Sequence, residues 1–145
     1  MKRTLIPYLT VKNASEAITF YTQVFGMTEV LCLKMPDGRV GHAELETSEA
    51  ELWLADEFPE ADIVGPESRG GSTASYALYV DDVEAVAERA QEAGAKLLEE
   101  IKTEFYGDRV AKIQDPFGHR WFVHQRIEEV SREEVRRRFD EMMKS

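Results

Sequence analysis

Slid over itself by 69 positions, the sequence meets a second copy of its own pattern. "YLTVKNASEAITFYTQVFG" falls on "ALYVDDVEAVAERAQEAG" with one residue of slack near the helix end, so that Leu9 meets Leu78 and Val11 meets Val80. One supersecondary unit repeated once points to a duplicated module more than to a solenoid, which would need a shorter period recurring several times. Whatever fold the chain adopts must therefore accommodate two similar halves.

The content of each half follows from its local pattern. Residues 4–11 ("TLIPYLTV") are rich in β-formers, and Asn13, Ala14 and Ser15 then offer a helix N-cap before "EAITFYTQVFG". Ala17, Ile18, Tyr21, Val24 and Phe25 recur at helical spacing, and Gly26 stands where a left-handed terminating residue belongs. "TEVLCLKM", the turn "PDG", "RVGHAELE" and "AELWLAD" read as three further strands. In the second half "STASYALYV" reads as a strand and "DDVEAVAERAQEAGA" as a helix capped by an aspartate and closed by Gly94. "KLLEEI", "RVAKIQ" and "HRWFVHQ" complete the set as strands.

The expected fold class is therefore α+β. Two βαβββ modules, 1–57 and 73–126, form curved mixed sheets around a shared cavity within a single domain, 1–145. Residues 58–72 hold two prolines, three glycines and two serines without periodicity and read as the connecting loop. The tail 127–145 opens with Ser131 and Glu134 in capping-box spacing and carries Val135, Phe139, Met142 and Met143 on one helical stripe. That stripe is expected to pack on the domain or on a second subunit.

Composition narrows the partners. With 28 acidic and 18 basic side chains in 145 residues the formal charge is -10, which opposes binding to nucleic acid. The acidic surface serves solubility and names no substrate. A single cysteine, Cys32, excludes an intrachain disulfide. Without a signal-like segment or an apolar run of about 18 residues, the expectation is a cytoplasmic chain with no membrane partner.

The βαβββ duplication, the opening "IPYLTVKNASEAITFYTQVFGM", the central "GHAELE" and "AELWLADE", and the closing "YGDRVAKIQDPFGHRWFVHQ" followed by "IEEVSREEVRRR" resemble the vicinal oxygen chelate superfamily. That group holds glyoxalase I, extradiol dioxygenases, and fosfomycin and bleomycin resistance proteins. The likeness is strongest to its PhnB-like branch and spans nearly the whole chain. Metal-dependent members place His or Glu ligands on the first and last strands of each module. The matching positions here hold Ile6, Glu51, Ser75 and Phe122, of which Glu51 alone is a competent ligand. The resemblance therefore implies the fold without its usual metal chelate.

Fold alone does not fix function, so the site must come from its own residues. Strand alternation turns Ile6, Tyr8, His42, Glu51, Trp53, Ala77, Tyr79 and Phe122 toward the expected cavity, with Glu44 on the face of His42. An aromatic-lined pocket with a few polar groups suits a small molecule. In the loop "TEFYGDR", Arg109 would meet an anionic ligand and Asp108 a cationic one, unless the two form a local ion pair in a structural turn. "DPFG" reads as a geometric turn, with Pro116 and Gly118 setting its path and His119 following it.

The leading expectation is a homodimeric small-molecule binding protein of the bleomycin-resistance type, without a cofactor. Tyr8, His42, Glu44, Glu51, Trp53, Tyr79, Arg109 and Phe122 are its candidate ligand-binding residues, and its catalytic residues are undetermined. The alternative is a lyase, isomerase or dioxygenase holding a divalent metal ion on His42, Glu51 and His124. A third class is an accessory or regulatory module with a vestigial cavity. No GxGxxG, GxxxxGK[ST] or GxSxG occurs, and Cys32 stands mid-strand without an activating base.

Overall fold

The computed structural model describes residues 4–145 and divides into two compact units. The first comprises the chain up to Thr73 together with Pro116–His119, and the second comprises Ala74–Asp115 and Arg120–Ser145. Both are α+β, each built on a mixed sheet.

In the first unit β1 (Tyr8–Val11) leads into α1 (Ala14–Phe25), followed by β2 (Thr28–Lys34), β3 (Val40–Glu46) and β4 (Glu51–Asp56). The strand order is β1-β4-β3-β2, with β1 parallel to β4 and the other pairs antiparallel. Asn13 is the helix N-cap, its side chain accepting the Glu16 N–H, and Gly26 ends the helix at a φ of 71°. Asp56 ties the unit together by accepting the backbone N–H groups of Ala14 and Val40. Ala17, Phe20, Tyr21 and Val24 of α1 are buried, as are Leu9, Val11, Ala43, Leu45, Leu52 and Leu54 of the sheet. Burying each leucine contributes about 1.5–3 kcal/mol. Phe117 of the "DPFG" turn lies 6.2 Å from the Phe20 ring and 6.3 Å from the Tyr21 ring.

Residues 58–72 are irregular, with two short 3-10 turns at Pro59–Ala61 and Pro66–Arg69. Glu57 braces this stretch by accepting from the Gly65 N–H and the Ser68 hydroxyl.

The second unit runs β5 (Ser75–Tyr79), α2 (Val83–Glu92), β6 (Lys96–Leu97), β7 (Lys102–Thr103), β8 (Asp108–Gln114), β9 (Arg120–Arg126) and α3 (Arg132–Met143). Its strand order is β5-β9-β8-β6, with β7 also pairing β8. Asp82 caps α2 at the Ala85 N–H, and Ser131 caps α3 at the Glu134 N–H. The expected "KLLEEI" strand is divided into β6 and β7. The chain leaves the β8 ladder after Leu98 bonds to Lys112 and rejoins it at Lys102. Glu99 instead turns its carboxylate to Lys112, 2.9 Å away, so a charge contact replaces ladder bonds on an edge strand.

The Gly107 turn closes against the segment after β9. Its carbonyl accepts the N–H groups of Ile127 and Glu128, its φ is +97°, and an added Cβ would strike the Glu128 carbonyl oxygen. Gly107→Ala is therefore expected to cost at least about 2 kcal/mol, read as a lowered urea midpoint with an unchanged slope. A loss below about 0.5 kcal/mol would show that the turn relaxes freely.

Candidate functional site

Alternation divides each sheet between the face its helix packs on and the opposite one. In the first sheet α1 covers Leu9, Ala43, Leu45, Leu52 and Leu54. Tyr8, His42, Glu44, Glu51 and Trp53 therefore project from the other face. Register assembles them, since Tyr8 pairs with Trp53 across β1 and β4, and Glu44 pairs with Trp53 across β3 and β4. Leu33 and Leu31 of the edge strand lie opposite His42 and Glu44 and extend the same face.

The side chains there form a hydrogen-bonded line. His42 Nε2 lies 2.7 Å from the Glu44 carboxylate, and His42 Nδ1 lies 2.7 Å from the Tyr8 hydroxyl. A carboxylate only accepts, so Nε2 carries a proton, and in the neutral ring Nδ1 accepts from the Tyr8 O–H. Burial first and the Glu44 charge second push the Tyr8 phenol above its ordinary range, so it remains a donor. The Trp53 ring stands edge-on to both neighbours, 5.8 Å from Tyr8 and 5.1 Å from His42. Its indole N–H is buried and lacks a hydrogen-bond partner among the described residues. A buried donor without an acceptor is costly.

Glu51, at the start of β4, is exposed and pairs in register with Glu46. It shares the Trp53 face but takes no part in the hydrogen-bonded line. Cys32, on β2, is half-buried, and burial followed by the Glu29 charge raises its thiol pKa, which leaves it without an activated thiolate.

In the second sheet the face turned from α2 carries Tyr79, Phe122, His124, Asp108 and Arg126. Asp108 is their hub. Its Oδ2 accepts from the Tyr79 hydroxyl at 2.5 Å and from His124 Nδ1 at 3.0 Å, and its Oδ1 accepts from Arg126 Nε at 2.6 Å. Arg126 also donates to the Tyr79 oxygen at 3.1 Å. Asp108 is fully buried, which on its own raises a carboxyl pKa. Hydrogen bonds from Tyr79, Arg126 and His124 outweigh that and hold it below the usual range. Phe122 lies apart from this cluster, under the Lys112 ammonium at 5.2 Å.

The expected ion pair of Asp108 with Arg109 does not form, and Arg109 does not join Tyr79 and Phe122. Successive strand residues face opposite ways, so Arg109 lies on the α2 side, ion-paired to Glu84 and bonded to the Thr103 hydroxyl. His119, after the turn, bonds through Nε2 to the Thr10 carbonyl.

Among the described residues no group of three or more His, Cys, Asp or Glu is placed to hold a metal ion. Both His42 nitrogens are already engaged, and Ile6 and Phe122 offer no lone pair.

Sequence reasoning placed Tyr8, His42, Glu44 and Trp53 on one face but missed Asp108 as an organising residue. An acid opening a strand beside a positive-φ glycine, with tyrosine, histidine and arginine on the neighbouring strands, was the available signal. Its partners became visible only with the register.

A βαβββ sheet with a helix on one face and an aromatic, hydrogen-bonded cluster on the other, present with a second mixed-sheet unit, is the architecture of the vicinal oxygen chelate fold. The chain belongs to the Glyoxalase/Bleomycin resistance protein/Dioxygenase superfamily, whose sequence model matches residues 4–123. It is 35% identical over 134 residues to an uncharacterized protein of Mycobacterium bovis, covering 90% of this chain and 88% of the relative. The fosfomycin resistance protein FosX of Listeria monocytogenes superposes with a TM-score of 0.69 at 14% identity, covering 93% of this chain and 98% of its own. A PhnB protein of Bacillus cereus gives 0.67 at 15% identity, covering 85% and 99%. At these identities both structures show the fold alone. No described helix is long and apolar enough to cross a membrane.

Because the folded-state Asp108 carboxyl titrates below its unfolded counterpart at about 4, its contribution is complete above that pH. The contribution is lost as pH falls through the lower, folded value. Asp108→Asn should cost about 3 kcal/mol at neutral pH and flatten the fall in stability below about pH 4, measured by urea unfolding across pH. Equal pH slopes for the variant and the parent protein would remove Asp108 from the account.

Proposed function

We propose that the chain binds a small, partly aromatic or cationic molecule without a resident metal, sequestering it as bleomycin resistance proteins do their drug. The observation that carries this reading is the Tyr8–His42–Glu44–Trp53 face. The Trp53 ring stands edge-on to both Tyr8 and His42, which are tilted at 56° to one another, beside a carboxylate, and the indole N–H has no acceptor among the described residues. The rings offer dispersion and cation–π contact, Glu44 offers charge, and a ligand acceptor would relieve the indole N–H. The FosX likeness lends the fold to the reading and nothing of its substrate.

We further propose that the protein is a cytoplasmic homodimer. The edge strand β2 and the residue after it expose Val30, Leu31, Leu33 and Met35, an apolar run more typical of an interface than of a free edge. A single-chain mass by sedimentation at micromolar concentration would refute the dimer.

Aromatic cations and cationic glycopeptides, screened by thermal shift against untagged protein, should include one that raises Tm. At a hundred times its Kd the gain is about 2.7 kcal/mol. Trp53 fluorescence should respond to the same compound, and Glu44→Gln should weaken its binding at least about tenfold. A flat screen, or stoichiometric metal in the purified protein that is lost in His42→Ala, would overturn this reading.

A further inference from the structure

We propose that His124, oriented by Asp108, is a proton-transfer site on the second sheet, which takes the hydroxyl proton of a planar weak acid of the phenol or enol class. The geometry fixes which nitrogen is available. Asp108 Oδ2 accepts from His124 Nδ1, so the Nδ1–H tautomer is set and the lone pair of the neutral ring lies on Nε2. That nitrogen makes no hydrogen bond among the described residues. The His124 residue is 9% exposed, and Nε2 is not among the buried polar atoms left without a partner. His42 offers the contrast, with both its ring nitrogens taken.

The surroundings select the ligand. The rings of Tyr79 and Tyr106 lie 5.2 Å and 6.1 Å from His124, inclined at 35° and 34° to it, and favour a flat molecule. The nearby cation is committed. Arg126 gives its Nε to Asp108, its Nη2 to the Tyr79 oxygen and its Nη1 to Glu129. A ligand that arrives as an anion finds no unspent charge in this cluster, whereas a neutral one creates its counter-ion on the imidazole. The carboxylate behind the ring fixes its tautomer and orientation, so Nε2 is presented to the ligand hydroxyl.

The step balances without a further reactant. The ligand O–H bond breaks, the Nε2–H bond forms, and the electron pair stays on the ligand oxygen. Release reverses the transfer. Asp108, Tyr79, Tyr106 and Arg126 are the titratable groups around the ring, and Tyr106 is itself raised by burial first and then by Glu104, Asp108 and Tyr79, so it stays a neutral phenol. Asp108 and Tyr79 act as positioning residues.

Two measurements on the full chain test this. Nitrogen NMR of the histidine rings, assigned through the backbone, should show neutral His124 as the Nδ1–H tautomer, and an Nε2–H tautomer overturns the proposal. In the second, 4-nitrophenol is titrated in at a pH where the free probe is mostly protonated. The bound probe should show its phenolate band, reduced at least tenfold in His124→Gln. Absence of the band in the parent protein refutes the site. So does a band that survives in folded His124→Gln, or one lost on Trp53→Phe, which would place the probe on the Tyr8 face. The NMR result stands even if His124→Gln does not fold, and the Tyr8 face can fail as a binding site without affecting either measurement.

Discussion

One helix can cover only one face of a sheet, and that constraint organises both units. α1 takes the face bearing Leu9, Ala43, Leu45, Leu52 and Leu54, and by alternation every second side chain must face away from it. Those residues are therefore not required for the helix–sheet core and are free to carry chemistry. Their spacing is nevertheless fixed by the same ladder that aligns the core. Tyr8, Trp53 and Glu44 are neighbours because Leu9, Leu54 and Ala43 are.

The same ingredients serve two ends in the two units. In each, the face opposite the helix joins a tyrosine on its first strand to a histidine and a carboxylate. In the first unit the carboxylate holds Nε2 and the tyrosine holds Nδ1, so the histidine is a link in a closed line. In the second the tyrosine and the histidine both turn to the carboxylate, and one ring nitrogen is left over. This difference arises from connectivity, not composition. A buried acid satisfied by three donors is rigid, and the ring it holds is preorganised.

Local signals in the sequence were enough for most of the fold. Asn13, Asp82 and Ser131 cap the helices at the positions their side chains suggest, and Gly26 ends α1 in the left-handed region. The Tyr8, His42, Glu44 and Trp53 face followed from period-two alternation alone. What failed depended on partners distant in sequence. "KLLEEI" has strand composition, yet its middle leaves the β8 ladder, where Glu99 contacts Lys112. Arg109 was paired with its chain neighbour Asp108, although adjacent strand residues cannot share a face. Asp108 acquires its meaning from Tyr79, 29 residues away, and from His124 and Arg126, which no local window contains.

The ladder between β2 and β3 shifts register twice, between Glu29 and Leu31 and again between Leu33 and Lys34. These irregularities fall on an edge strand whose outer backbone groups would otherwise form an even row. An interrupted row is a poor template for another strand, so a neighbour approaching here meets side chains before it meets amides. The apolar residues on β2 can thus serve a contact made through side chains without inviting the chain to polymerise through its own backbone.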